Sequence, residues 1–154
     1  KSLISWIEKW ESDGVTVIDG IGTQMHISCY MDPATQASKE EHIIQMFELM
    51  AGTGKLVKIT ELDMGLVDEN GSTVMTENVT EEQHKAMGEF YKFIIRKYFE
   101  IIPVSQRYGI THWCPTDSPA SSSWRGGQPV GLWTEGGFYR KHTFGAFADG
   151  LAGN

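Results

Sequence analysis

The sequence predicts an α/β fold built on a parallel sheet. Three observations carry that prediction. Helical and strand-like segments alternate in the order α, β-α, β-α, β-loop-α. The strand segments recur about every 35–50 residues, and their alternation with helices implies right-handed βαβ units. Each strand also deposits polar residues at its C-terminal end, where α/β proteins, open or barrel, place their sites.

Leu3, Ile4, Ile7 and Trp10 recur at helical spacing, Trp6 widens the apolar face, and Glu8, Lys9 and Glu11 lie between them. This predicts a helix that starts at or before Lys1 and stops near Asp13-Gly14. A first residue already inside an amphipathic pattern, with no initiator Met, reads as the C-terminal piece of something longer. Residues 20–27 form a short apolar strand that ends in polar residues. Asp32-Pro33 marks a loop, and Ser38 with Glu41 predicts a capping box. The helix it opens runs to about Met50, with Ile43, Ile44, Phe47 and Met50 on one side, until Gly52 and Gly54 stop it.

A second strand covers 55–62 and terminates at Asp63-Met64-Gly65. Residues 66–79 form a loop with a turn at Glu69-Asn70-Gly71-Ser72. Thr80 caps a long helix whose first turn holds Glu81 and Glu82, favourable to the helix dipole. It passes Phe90, Phe93, Ile94 and Tyr98 towards Ile102, and Pro103 ends it. Residues 108–113 are a third strand. A long loop rich in Ser, Gly and Pro spans 114–137, and a helix over about 138–151 carries Phe144, Phe147 and Leu151.

The 154 residues suffice for one compact domain and not for two well-filled ones. A net charge of −7 excludes a broadly basic nucleic-acid face and attraction to an anionic membrane. No apolar run approaches the roughly 20 residues that span a bilayer. The two cysteines, Cys29 and Cys114, fit neither a disulfide framework nor a zinc pattern and read as free, mostly buried thiols. Neither a metal nor a cofactor is called for: no three His or acidic residues have metal spacing, and a Gly-x-Ser-x-Gly elbow is absent.

The chemistry-bearing residues are Gln24 and His26, then Glu61 and Asp63, then Trp113 and later Trp124. Within each of the first two pairs the separation is two, so both side chains share one face of their strand. Charged groups buried there need partners, and His26 beside Glu61 and Asp63 forms a mutually satisfied network. A positioned carboxylate with an indole nearby suits sugar chemistry: a carboxylate nucleophile and an aromatic face for a pyranose. Taken singly, each has a plainer reading. His26 could be a hydrogen-bonded core residue, Glu61 and Asp63 solvated loop acids, and Trp124 a loop plug. His42 and His84 read as helix-surface residues, and His112 as structural.

Taken together, the segments resemble one family. Asp19-Gly20-Ile21-Gly22-Thr23-Gln24-Met25-His26-Ile27 looks like the sixth strand of a family 10 glycoside hydrolase, the retaining endo-β-1,4-xylanases. Ile59-Thr60-Glu61-Leu62-Asp63 resembles that family's nucleophile strand, the seventh. Gly109-Ile110-Thr111-His112-Trp113, with Asp117 and Ser123-Trp124-Arg125, resembles the eighth strand and its loop, and Tyr139-Arg140-Lys141 the start of the closing helix.

The resemblance implies the C-terminal portion, about strands 6–8 and their helices, of a TIM (β/α)8 barrel. It implies Glu61 as nucleophile, with His26 and Asp63 hydrogen-bonding around it. Gln24 would lie near the acid/base carboxylate, and Trp113 and Trp124 would wall the sugar subsite, with Arg125 beside them as a substrate-binding residue. The substrate implied is xylan or xylo-oligosaccharide, no cofactor is implied, and the setting is secreted or cell-envelope.

The sequence departs from the family where His142 and Thr143 follow Lys141, and around Cys114-Pro115 and the serines at 121–123. The departures are expected to alter loop shape and outer subsites. Nothing like the family's Asn-Glu acid/base segment occurs, so the partner implied is the N-terminal part of the same barrel. Two other readings compete: a non-catalytic carbohydrate-binding or scaffolding piece, and a barrel glycosidase for another β-glycan. The expected sheet leaves two open edges, with Gly22, Ile59 and Ile110 on a barrel interior partly exposed to water.

Overall fold

The computed structural model describes residues 2–154; the predicted start of the first helix at Lys1 lies outside them. Helix α1 covers Ser2–Glu11, strand β1 Gly20–Tyr30, helix α2 Pro33–Ala51 and strand β2 Leu56–Val67. Helix α3 covers Glu81–Ile101, strand β3 Arg107–His112 and helix α4 His142–Ala152, with three single 3-10 turns between. The strands lie in the order β1-β2-β3, both pairs parallel. Among the described residues β1 and β3 each pair with β2 alone, so each keeps an unpaired outer edge. No described helix is long and apolar enough to cross a membrane.

Two helix starts differ in how they compare with the sequence. At α3 Thr80 accepts from the Gln83 amide at 3.2 Å while Gln83 Oε1 accepts from the Thr80 amide at 2.9 Å, a complete capping box. Helix α2 does not start at Ser38. Asp32 caps it, accepting from the Thr35 amide at 2.8 Å, and Pro33 occupies the first turn, where its missing N–H is no loss. Ser38 and Glu41 therefore sit inside the helix. In α1 only Ile7 is buried, so the predicted apolar face, with Leu3, Trp6 and Trp10, is turned largely outward. The closing helix starts at His142, later than about 138, because 133–140 instead folds back through a Trp133–Arg140 bridge.

The core lies between the sheet and α2, α3 and α4, with Phe47, Tyr91, Ile94 and Tyr98 against Ile59, Leu62, Met64 and Leu66. Tyr98 joins two strands: its hydroxyl donates to the Val57 carbonyl at 2.8 Å and accepts from the Gly109 amide at 3.2 Å. Burying large aromatic surface while satisfying the hydroxyl is what makes tyrosine economical there.

Strand β2 does not end at Asp63. It continues to Val67, and one irregularity in it decides which way its acids point. Thr23 pairs with Ile59 but Gln24 pairs with Glu61, so Thr60 is an extra residue in β2, a bulge. The Thr60 hydroxyl donates to the Thr23 carbonyl at 3.0 Å there. Before the bulge Val57 and Ile59 enter the core; after it Leu62, Met64 and Leu66 do, all fully buried. Without the extra residue, period-two alternation would send Glu61 and Asp63 into the apolar core. The same switch corrects the expectation for Ile59, which packs in the core and not on a barrel interior; Ile110 also packs against that core.

His112 is structural. Its Nε2 lies 3.1 Å from the Tyr91 hydroxyl, and its ring meets Tyr91 and Phe147. Burial, only partly opposed by the Asp63 charge, lowers its pKa from 6.5 to about 4. Because the unfolded chain takes up that proton more readily, stability is full above pH 6.5 and falls as pH drops towards 4. Thermal melts at pH 7.5 and 4.5 should differ more in the native protein than in His112→Phe, by about 3 kcal/mol at most. Equal differences in the two proteins would show that His112 is not the group responsible. His84, expected at the surface, is half-buried, and its Nδ1 makes no hydrogen bond.

Candidate active site

The register of β1 against β2 builds the site. Gln24 stands opposite Glu61 and His26 opposite Asp63. Gln24 Nε2 donates to Glu61 Oε1 at 2.8 Å, and His26 Nε2 lies 2.9 Å from Glu61 Oε2. The other imidazole nitrogen, Nδ1, lies 3.0 Å from Asp63 Oδ2. A doubly protonated ring donates to both carboxylates, and a neutral ring to one. Glu61 thus has one oxygen on each neighbour and keeps a fifth of its side chain exposed. Gln24, implied to stand beside an acid/base carboxylate, bonds to Glu61 itself.

Asp63 is fully buried and is the hub of the arrangement. Besides His26, its Oδ2 accepts from Trp124 Nε1 at 2.9 Å and from the Cys114 thiol at 3.8 Å. Its Oδ1 lies 3.3 Å from Arg125 Nε. Arg125, implied to bind substrate, is here turned inward onto Asp63. Burial and the nearby Asp63 charge push the Cys114 thiol up to about 11, so it keeps its proton and can donate. Cys29 is also free, and it is buried in the core.

Two indoles flank the network. The Trp124 ring meets His26 edge-on at 4.5 Å between centroids, and Trp113 meets it at 5.9 Å. Trp113 is 48% and Trp124 39% exposed, which is unusual for the largest apolar side chain and leaves ring surface free for a ligand. The Trp113 amide donates to the Leu62 carbonyl at 2.9 Å, fastening the start of the long loop to the strand that carries Glu61. A cavity lined by Gln24, His26, Ser28 and Tyr30 opens along the outer edge of β1. Among the described residues no group of three or more His, Cys, Asp or Glu is arranged to hold a metal ion.

The structure brings Gln24, His26, Glu61, Asp63, Trp113, Trp124 and Arg125 into one contiguous set. It adds Cys114 and a buried pair that ties the long loop to the start of α4. Lys141 Nζ lies 2.5 Å from Asp117 Oδ1 and donates to the Pro129 carbonyl at 2.9 Å. Burial lowers the Lys141 pKa, with Asp117 opposing the shift. Sequence reasoning placed both residues in matching segments without pairing them. The available signal is a lysine at the N-cap position of α4, where a short polar residue is usual and no side chain caps the helix.

The geometry can be set against known proteins. The endo-β-1,4-xylanase Xyn10C of Cellvibrio japonicus is 32% identical over 104 residues, 66% of this chain and 16% of that protein. Endo-1,4-β-xylanase A of the same species, strain Ueda107, is 31% identical over 122 residues, 73% of this chain and 19% of that protein. Among solved structures, native xylanase 10C of C. japonicus superposes with a TM-score of 0.75 at 24% identity, covering 99% of this chain and 32% of that one. The family 10 protein of Paenibacillus barcinonensis gives 0.73 at 23% identity, covering 97% and 41%. The chain therefore spans under a fifth of the length of these curated relatives and about a third of the solved xylanase 10C. Its parallel α/β unit corresponds to that share of a TIM barrel. The model of glycosyl hydrolase family 10 matches residues 1–148, nearly the whole chain, and the chain belongs to that family.

Proposed function

We propose that this chain supplies the nucleophile half of a retaining endo-β-1,4-xylanase, with Glu61 as the nucleophile. The observation that carries the reading is how Glu61 is held: on a central strand, aimed by the Thr60 bulge, with one oxygen on Gln24 and the other on His26. Loose surface acids are not fixed at both oxygens. The named relatives are endo-xylanases, and xylanase 10C was solved with xylopentaose, which supports xylan as the substrate class.

The chemistry follows from the roles of the two oxygens. Gln24 is exposed, so its bond to Oε1 is the one a sugar can displace. Oε1 then attacks the anomeric carbon while the bond to the leaving sugar oxygen breaks. That oxygen takes a proton from a second carboxyl group about 5–5.5 Å from Glu61. Water next gives its proton to the second carboxylate and attacks the same carbon, the ester breaks, and Glu61 is restored with net retention. Throughout, His26 keeps Oε2 in place, and Trp113 and Trp124 wall the ring.

The second carboxyl group comes from the rest of the barrel. Asp63, the other carboxylate of this network, is fully buried and committed to His26, Trp124 and Arg125. The unpaired edges of β1 and β3 and the outward Leu3, Trp6 and Trp10 of α1 are the surfaces that the N-terminal part would cover. Its place of action is secreted or cell-envelope, since a polymeric substrate stays outside the cytoplasm. By themselves these 154 residues should not hydrolyse xylan.

An activated 2-fluoro-xylobioside tests the assignment: fluorine slows both formation and breakdown of the glycosyl-enzyme, the good leaving group speeds formation alone, and the intermediate therefore accumulates. With the barrel complete, peptide mass analysis should place one xylobiosyl group on Glu61. A label on any other carboxylate, or turnover with no label, would remove Glu61 from the nucleophile role.

A further inference from the structure

The loop after β3 holds its one strained residue at a telling place. Among the described non-glycine residues only Arg125 has a positive φ, 47°, a conformation that side chains with a Cβ disfavour. Such strain persists only where the surroundings over-determine it. Here they do. The Trp124 carbonyl accepts from Ser118 Oγ at 2.5 Å, and the Arg125 carbonyl accepts from the Gln128 amide at 2.9 Å.

The strand beneath is cleared to receive the side chain. Gly65 follows Asp63 by two residues and so shares its face. A Cβ at Gly65 would stand 2.5 Å from Arg125 Nη1 and 2.6 Å from Gln128 Oε1. Through that gap Arg125 Nε reaches 3.3 Å from Asp63 Oδ1, an oxygen that is buried and accepts no hydrogen bond. A buried carboxylate oxygen without a hydrogen bond needs a counter-charge. The other oxygen of the same carboxylate accepts from the indole of the preceding residue, Trp124, at 2.9 Å.

We propose that Arg125 is a positioning residue: seated over Gly65, it fixes the Asp63 carboxylate and thereby the place where the Trp124 indole stands. Arg125 need not touch the sugar to matter. Its backbone strain turns the chain so that two successive side chains, indole and guanidinium, land on the two oxygens of one aspartate. A lysine cannot copy this, because its ammonium is a point charge without the planar fork. An alanine at Gly65 leaves the arginine present and denies it its seat. The guanidinium is a flexible end, so it yields before the strand does.

The proposal rests on the reading of Trp124 as a wall of the sugar site, but the indole can be watched without any sugar. The experiment is ¹⁵N NMR on the complete protein, with the Trp124 indole N–H assigned by its loss in Trp124→Phe. In R125M and in G65A its hydrogen exchange should quicken by about tenfold or more while the melting curve stays cooperative. R125K should fall between these and the native protein. If R125M does not fold, G65A carries the same test. Unchanged indole exchange in folded G65A would overturn the proposal, whatever the activity. Michaelis kinetics on xylo-oligosaccharides then separate the two ideas. A freed indole with raised KM and nearly unchanged kcat supports both. A freed indole with both constants unchanged keeps Arg125 as the positioning residue and removes Trp124 from the sugar site.

Discussion

Glu61→Ala, made with the barrel complete, is expected to lower kcat on xylan by about 10⁴-fold or more while leaving the fold intact. The size follows from losing the covalent route itself. On the proposed route no glycosyl-enzyme forms without the carboxylate, and what would remain is binding by the indoles and leaving-group protonation. The cost to stability is small, because Glu61 is partly exposed and its removal leaves only Gln24 and His26 to find water or each other. Added azide is small enough to occupy the vacated volume and attack from the same face. On an aryl xyloside with a good leaving group it should restore part of the rate and give a glycosyl azide of inverted configuration. Glu61→Gln separates charge from shape: it keeps a side chain between Gln24 and His26 but cannot form a reactive ester. If Glu61→Ala kept a rate near that of the native protein, Glu61 would be a structural acid and the nucleophile would lie elsewhere.

Much of this site was legible in the sequence, for a simple reason. Strand periodicity of two places Gln24 with His26 and Glu61 with Asp63, and parallel pairing then brings the two pairs side by side. Helix α3 is equally plain, since Thr80, the first-turn acids Glu81 and Glu82, and Pro103 are local signals that tertiary packing did not override. What was not legible depends on contacts between distant segments. The bulge at Thr60 cannot be read from a run as short as Ile59-Thr60-Glu61-Leu62, yet it decides that Ile59 and Leu62 face the same core. The start of α2 was missed because two legitimate start signals lie close together, and Asp32-Pro33 prevailed over Ser38 and Glu41. The resemblance of Ser123-Trp124-Arg125 to the family's loop implies Arg125 as a substrate-binding residue. That its guanidinium approaches Asp63 over Gly65 depends on contacts between distant segments and cannot be read from the motif. Trp6 and Trp10 match a core helix in pattern, but the pattern alone does not say what covers them.

The largest loss of stability is expected at Lys141. Its ammonium is almost wholly buried against Asp117, whose Oδ1 also accepts from the Gly131 amide at 3.0 Å. The two residues join the ends of the long loop. Around them the segments at 115–117 and 130–133 run so close that a Cβ at Gly131 would stand 2.3 Å from the Asp117 amide nitrogen. The Asp117 amide donates to the Trp133 carbonyl at 3.0 Å, and the Lys141 amide to the Leu132 carbonyl at 3.0 Å. Lys141→Met keeps the bulk but leaves the Asp117 carboxylate buried without its counter-charge, at a cost of about 3–5 kcal/mol. The double change Lys141→Met with Asp117→Leu removes both charges and should recover much of that loss, since burying a pair is nearly balanced by its desolvation. Denaturant unfolding of the native protein, both single variants and the double variant gives the coupling directly. Additive losses would mean that the two residues act independently. The same cycle reaches the candidate active site, because this loop carries Trp124. If the pair holds the loop in shape, each single variant should raise KM for xylo-oligosaccharides more than it lowers kcat. The double variant should bring KM back towards the native value.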